Sequence, residues 1–121
     1  ERRMRDHTKL KAFALADELV VLAYKVTENF PKEEVYGLSS QIRRSAVSVP
    51  SNIVEGCARD TKADYLRFLY LAFGSLRELR YQISLSRRLN FLQESDLTNI
   101  EPKIIETEKV LSGLIKSLKR I

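Results

Sequence analysis

The sequence predicts an all-α protein: one bundle of four helices in an up-down-up-down arrangement that associates with copies of itself. Three observations favour this fold class. Apolar residues recur with a helical period along most of the 121 residues, and only four Gly and three Pro interrupt them. No stretch alternates apolar and polar residues as a half-buried strand would. So few helix breakers are typical of a few long elements joined by short loops.

Composition limits the class of protein further. Hydrophobic residues make up 44% and charged residues 31% of the chain, which is typical of a globular protein. We expect a flexible segment over residues 1–8 and a single domain over residues 9–121. No apolar run reaches the length of a membrane span, and a single Cys excludes an internal disulfide. The expected location is therefore the cytoplasm, without a membrane partner.

The first helix is predicted over residues 9–30. Pro31 is expected to end it, because the residue before a proline is pushed out of the α region. Two neighbouring rows of apolar residues form a stripe wider than one core contact requires. The rows are Ala12, Leu15, Leu19, Leu22 and Val26, and Phe13, Ala16, Val20, Ala23 and Phe30.

The second helix is predicted from an N-cap at Ser39 or Ser40 to Arg59, with a kink where Pro50 interrupts the backbone hydrogen bonds. One face carries an unusual row of polar residues that form helices less readily than Lys or Glu. We expect this row to form a hydrogen-bond network between helices or subunits; a plain solvent face and a ligand site are the alternatives. Its members are Gln41, Arg44, Ser48, Ser51, Asn52 and Glu55.

The third helix is predicted to begin at a capping box of Thr61 and Asp64 and to end near Asn90, which tolerates the left-handed conformation. Residues 65–73 are apolar almost all round, apart from Arg67. A helix without a polar side is buried on several sides, so a second subunit is expected to cover part of it.

The fourth helix is predicted to begin at a Ser95 or Asp96 cap, with Pro102 marking an early kink or a later start. Its apolar residues recur at the spacing of a helix bundle or coiled coil. They are Leu97, Ile104, Leu111 and Leu118, with Ile100, Leu114 and Ile121 in a second row.

Basic residues cluster on the last two predicted helices of a chain whose formal net charge is +5. Four arginines of the third helix fall within an arc of about 100° and can offer paired hydrogen bonds to phosphate. The alternatives are a solvated face, or ion pairs with Glu101, Glu106 and Glu108. Few aromatic residues lie nearby, so any binding is expected to be electrostatic and sensitive to salt. The candidate residues are Arg77, Arg80, Arg87 and Arg88, with a second block of Lys116, Lys119 and Arg120.

The chain offers few groups for catalysis. His7 is the only histidine, and Cys57 lies on an apolar helix face without a histidine to activate it, so a packed thiol is expected. No Gly-rich phosphate loop and no Glu-x-x-His pair is present. The acidic groups, Asp60 with Asp64 and Glu101 with Glu106 and Glu108, are interpreted as helix-terminal or surface carboxylates. We expect no enzyme activity, cofactor or metal.

A distinctive set of residues runs through the chain. It consists of Phe30-Pro31, Glu34, Tyr36-Gly37-Leu38, Gln41, Arg43-Arg44, Ser48, Ser51-Asn52-Ile53, Glu55-Gly56, Ala72, Gly74-Ser75 and Glu78-Leu79. With these residues the sequence resembles a known family, the bacterial four-helix bundle proteins encoded within intervening sequences of 23S ribosomal RNA genes. The match covers nearly the whole chain from about Thr8, and its specific part lies between Tyr36 and Gly56.

This resemblance implies an antiparallel four-helix bundle that assembles into a ring-like homo-oligomer, typically a pentamer. It extends to the accessory proteins of diversity-generating retroelements, which are basic pentameric barrels that bind a reverse transcriptase and nucleic acid. The family has no established enzymatic activity, so the resemblance implies no catalytic residue.

Two functions follow from these patterns. The first is a non-catalytic, homo-oligomeric protein that binds RNA or another nucleic acid through the arginine-rich face. The second is an oligomeric scaffold that docks a protein partner and has no direct role with nucleic acid. An enzyme would need a converging polar pocket that the sequence does not indicate.

Overall fold

The computed structural model describes residues 5–121, and this part of the chain is helical without any strand. The four long helices are α1 (Lys11–Thr27), α2 (Leu38–Cys57), α3 (Lys62–Arg88) and α4 (Glu94–Lys119). Short 3-10 turns precede α1 at His7–Lys9 and join α1 to α2 at Lys32–Glu34. The prediction of an all-α chain with four helices is confirmed.

The helices pack around one shared core. α1 and α3 each contact both α2 and α4. This arrangement accounts for the wide apolar stripe of α1, because one of its flanks faces α2 and the other faces α4. Fully buried side chains from all four helices form the centre of the core, among them Leu19, Ile42, Ile53, Leu69, Leu76, Ile104 and Leu111.

The first helix is shorter than predicted at both ends. Lys9 belongs to the preceding 3-10 turn, and α1 ends at Thr27, before Phe30. The Thr27 hydroxyl donates to the carbonyl of Ala23 at 2.8 Å, and the Phe30 amide donates to Thr27. The residue before a proline is disfavoured in the α region, and here the chain leaves the helix before Phe30, whose side chain packs in the core.

The predicted serine cap of α2 is wrong. The helix begins at Leu38, with Gly37 as its N-cap, so Ser39 and Ser40 lie in its first turn. A Glu34 carboxylate oxygen accepts a hydrogen bond from the Leu38 amide at 2.9 Å, so a residue of the preceding turn caps the helix. The helix is continuous past the buried Pro50 and ends at Cys57 rather than Arg59.

Both ends of α3 lie close to where the sequence predicts them, although only the Thr61 half of the predicted capping box is formed. The Thr61 hydroxyl accepts a hydrogen bond from the Asp64 amide at 3.1 Å. Beyond the other end Asn90 is left-handed, with φ 61°. The Phe91 amide donates to the Ser86 carbonyl at 2.9 Å, which is the long hydrogen bond of a Schellman ending.

The start of α4 differs from the prediction. The N-cap is Gln93, and Asp96 lies three residues into a capping box, where its carboxylate accepts from the Gln93 amide at 3.3 Å. Pro102 lies well inside the helix, so the later start is wrong.

The segment predicted to be flexible, residues 1–8, lies partly outside the described residues. From residue 5 onward it packs on the bundle. The Arg5 guanidinium lies 4.2 Å from the Tyr65 ring centroid and donates to the Arg59 carbonyl at 2.8 Å. His7 stacks edge-on against Phe13 with ring centroids 4.7 Å apart.

Candidate nucleic-acid interface

The four arginines predicted as a binding face lie on the outer surface of α3. All four are exposed, which agrees with the helical spacing that placed them on one side. Their charges, however, are not all directed to solvent, because α4 presents carboxylates to three of them. These three are Arg77, Arg80 and Arg87.

Glu108 of α4 is the centre of this arrangement. One of its carboxylate oxygens accepts from Arg80 at 2.8 Å, and the other lies 3.6 Å from Arg77. The residue is only 8% exposed, so its interpretation as a surface carboxylate is wrong. A carboxylate withdrawn from water needs charged partners, and two arginines supply them. Two guanidinium groups facing one carboxylate still leave one positive charge in excess.

The other two arginines lie toward the end of α3. Arg87 is 3.8 Å from Glu101, a long ion pair between exposed or half-buried groups, which contributes little to stability. Arg88 extends along its own helix toward the Ser84 carbonyl and the Tyr81 ring. Glu106 does not join this face, because its nearest cation is Lys103. The alternative of ion pairing is thus realised at Glu101 and Glu108.

The second basic block lies near the opposite end of α3. Lys116, Lys119 and Arg120 are exposed at the end of α4. The Lys119 ammonium lies 5.9 Å from the ring centroid of Tyr70, in the first half of α3. At 1.5 Å per residue, Tyr70 is roughly 10 Å along α3 from Arg77 and roughly 25 Å from Arg87. The second block therefore lies beyond the Arg77 end of the arginine face.

Only part of the polar row of α2 forms a network. The Ser48 hydroxyl is 2.8 Å from that of Ser75 on α3, and the Asn52 amide donates to the Ser48 carbonyl and hydroxyl at 2.8 and 3.0 Å. Glu55 pairs with Arg59 within its own segment. The remaining members of the row, Gln41, Arg44 and Ser51, are exposed.

The titratable groups of the interior are poorly suited to nucleophilic chemistry. Cys57 is buried, and this burial raises the pKa of its thiol. Burial, together with the neighbouring Cys57, raises the pKa of Tyr65 to about 12. Among residues 5–121 no group of three or more His, Cys, Asp or Glu side chains is arranged to hold a metal ion.

Sequence reasoning missed a groove of about 810 Å³ where the end of α1 meets the start of α2. The Arg43 side chain forms one wall, held by a 2.8 Å hydrogen bond to the Thr27 hydroxyl and by the Tyr24 ring. Lys32 and Arg44 also line it, beside Phe30 and other apolar groups. The available signal was the block Phe30-Pro31 and Arg43-Arg44, which sequence reasoning had used only as evidence of the family resemblance.

Comparison with known families identifies the chain. The profile of the 23S rRNA-intervening sequence protein family matches residues 8–113. The chain belongs to this family. The match covers all of α1, α2 and α3 and most of α4, so membership applies to the bundle as a whole.

A solved structure has the same fold. It is the crystal structure, at 1.70 Å resolution, of a protein with unknown function from the S23 ribosomal protein family of Bacteroides thetaiotaomicron. The two chains are 26% identical, with a TM-score of 0.77, and the similarity covers 87% of this chain and 98% of that one. No curated protein matches the sequence. Within the described range, none of the helices has both the length and the apolar character needed to cross a membrane.

Proposed function

We propose that this member of the 23S rRNA-intervening sequence protein family is a non-catalytic binding protein of the cytoplasm. Its four helices form an antiparallel bundle, and copies of this bundle assemble into a ring-like homo-oligomer, a pentamer. The assembly associates with RNA or another nucleic acid through basic residues of α3 and α4. The observation that carries the proposal is the exposure of both basic blocks on one pair of neighbouring helices.

Nucleic acid fits these blocks because of their chemistry. Guanidinium groups bind phosphate through paired hydrogen bonds, and exposed Lys and Arg release counterions from a nucleic acid on binding. Glu108 is hydrogen-bonded to Arg80 and lies near Arg77 without cancelling their combined charge. Repetition of these groups around an oligomer would multiply the positive field that one chain presents.

Self-association is supported by apolar side chains that a single chain leaves in water. Leu71 of α3 is 47% exposed, and Val47 and Val54 of α2 are 39% and 37% exposed. These two helices are already joined through Ser48 and Ser75. Apolar groups of this kind are typical of surfaces that another subunit covers. The short connections between successive helices favour the antiparallel arrangement.

An electrophoretic shift of structured RNA at low salt tests nucleic-acid binding. Wild-type protein is compared with a variant in which Arg77, Arg80, Arg87 and Arg88 are changed to Gln. A control variant loses the same charge at exposed positions elsewhere, namely Lys25, Lys32, Arg44 and Lys109. We expect the arginine variant to bind at least about tenfold more weakly than the control. Absence of binding by the wild type at about 50 mM salt would refute the proposal.

The groove between α1 and α2 favours the second candidate, a scaffold that docks a protein partner. Its apolar floor and its cations at Lys32, Arg43 and Arg44 suit a peptide with apolar and acidic residues. A pull-down after nuclease treatment, with wild type and an Arg44→Glu variant, tests this function. Retention of one partner by the wild type, and its loss from the variant, would favour the scaffold.

A further inference from the structure

The positive charge of this protein is concentrated at one end of the bundle. Three segments that are far apart in sequence meet there: residues 5–11, 55–67 and 116–121. Their Lys, Arg, Asp and Glu side chains give a net charge of +5, whereas the other described residues, 12–54 and 68–115, together carry −1. The excess of positive charge in the described chain therefore lies entirely at this end, which we call the basic end.

Contacts between the segments establish that they are neighbours. Arg5 reaches the Tyr65 ring and the Arg59 carbonyl. The Lys62 ammonium donates to the carbonyl of Ile121. Arg59 and Arg67 both lie over the Phe68 ring, at 4.6 and 4.4 Å.

Most cations of the basic end have no carboxylate partner in the described chain. Arg59 pairs with Glu55, and Arg67 lies 3.6 Å from Asp64. No carboxylate of residues 5–121 lies within 4 Å of the other exposed cations there, whereas three of the four α3 arginines face Glu101 or Glu108. These unpaired cations are Lys9, Lys11, Lys116, Lys119 and Arg120, whereas Lys62 donates to Ile121.

A half-exposed aromatic ring lies beside two of these lysines, Lys116 and Lys119. Tyr70 is 49% exposed and lines a groove of about 190 Å³ between α3 and α4. Phe73 and Ile115 form its apolar part, while Lys116 and Lys119 lie on its rim. An aromatic face combined with adjacent cations is the arrangement that binds a single-stranded nucleotide, because the ring stacks on the base and the cations contact the phosphates.

We propose that the basic end binds single-stranded nucleic acid, with a base stacked on Tyr70 and phosphates held by Lys116, Lys119 and the lysines of residues 9–11. This inference rests on the proposed nucleic-acid function and specifies its site and its form of ligand. The arginine face of α3 then contributes less to binding than the basic end, because three of its four guanidinium groups already face carboxylates.

Fluorescence anisotropy with labelled oligouridylate of about 20 nucleotides tests the location. The end variant changes Lys9, Lys11, Lys116 and Lys119 to Gln. It is compared with the arginine variant and the control variant described above, each of which loses four positive charges. We expect the end variant to bind at least about tenfold more weakly than either of them. The slope of log affinity against log salt concentration should be shallower for the end variant than for the wild type by up to about 2.8, because four phosphate contacts are lost at roughly 0.7 each.

Substitution at Tyr70 tests the stacking separately. Tyr70→Ala is expected to weaken binding by about 5- to 150-fold, the loss of one stacked base, whereas Tyr70→Phe retains affinity. A duplex of the same length should compete less well than the single strand. Comparison of a deoxyuridylate strand with the oligouridylate shows whether the site prefers RNA or DNA. Circular dichroism of each variant establishes that its helices are intact.

The outcomes separate this inference from the general function. Failure of the wild type to bind either structured RNA or the oligonucleotide contradicts both, whereas binding to structured RNA alone overturns only the single-stranded site. If the end variant binds as tightly as the arginine and control variants, the basic end is not the binding site, but nucleic-acid binding itself still stands. Equal affinity of Tyr70→Ala and wild type overturns the stacking site.

Discussion

Gly56 is a position at which only glycine fits. A Cβ atom there would lie 2.9 Å from the Cβ of Phe68 and 3.3 Å from the Tyr65 ring, so α2 approaches α3 too closely for any side chain. In contrast, a Cβ at Gly113 of α4 would meet nothing within 4 Å. Changing each of these two helical glycines to Ala should therefore have opposite effects on the free energy of unfolding.

We predict that Gly56→Ala lowers the free energy of unfolding by about 1–3 kcal/mol, the usual cost of overpacking, despite the higher helix propensity of Ala. Gly113→Ala is expected to raise the free energy of unfolding by about 0.5–1 kcal/mol, because it removes a flexible residue from a helix interior. Urea unfolding of the two variants measures both changes. A stabilising Gly56→Ala would show that α2 and α3 are farther apart than described.

The pKa of Tyr65 predicts a loss of stability at alkaline pH. The phenol is 3% exposed, and its pKa is raised from 10.0 to about 12. Below pH 10 the phenol is protonated in the folded and unfolded chains alike. As pH rises from 10 to about 12, the unfolded chain ionises first and is favoured by up to about 1.4 kcal/mol per pH unit.

Comparison with Tyr65→Phe isolates this effect, because phenylalanine cannot ionise. The free energies of unfolding of wild type and variant are measured by urea denaturation from pH 9 to pH 11.5. We expect the stability of the wild type to fall relative to that of the variant as pH rises. A constant difference across this range would mean that Tyr65 ionises equally easily in both states.

The helix ends show which local signals can be read from sequence. The Thr61 cap and the left-handed Asn90 were predicted correctly, because each is decided by a residue and its immediate neighbours. The starts of α2 and α4 were predicted incorrectly. Glu34 caps α2 from the preceding turn, and Asp96 acts three residues after the N-cap. A carboxylate near a helix start can accept a backbone hydrogen bond either from the turn before the helix or from the third residue of the helix. The path of the chain decides which of these positions it occupies.

The ending of α3 gives a testable consequence. Asn90 has φ 61°, a conformation that costs an L-residue energy but is free of strain for glycine. We expect Asn90→Gly to raise the free energy of unfolding by a few tenths to about 1 kcal/mol, and Asn90→Ala to lower it by about 1 kcal/mol. Thermal unfolding of the pair checks this. Equal stability of the two variants would indicate that the turn is not left-handed in solution.

For the molecule as a whole, the sequence predicted the helices but not their lateral contacts. Pairing of Glu108 with arginines of α3 was one of the alternatives that the sequence left open, because no helical period decides which faces of α3 and α4 meet. The basic end likewise arises from segments separated by about 50 residues, which only the folded chain brings together. The clustering of Arg77 to Arg88 was visible in sequence, whereas its partial neutralisation was a tertiary effect.

The exposed apolar residues of α2 and α3 predict self-association. We expect light scattering at micromolar concentration to give a mass several times that of the 14.0 kDa chain. Leu71→Glu should shift the mass toward a single chain by weakening association at least about tenfold, because a carboxylate in an apolar contact loses its hydration. Ser84→Glu, at an exposed polar site on the same helix, is the control and should leave the mass unchanged.

The tertiary fold of the Leu71→Glu chain should survive, since this side chain is 47% exposed in the isolated chain and does not line the groove at Tyr70. A variant that is both dissociated and folded therefore separates assembly from binding. If the basic end of each chain acts alone, the dissociated variant binds one oligonucleotide per chain with lower avidity for long strands. A wild-type mass of 14.0 kDa would instead show that Leu71, Val47 and Val54 are simply tolerated at the surface of a monomer.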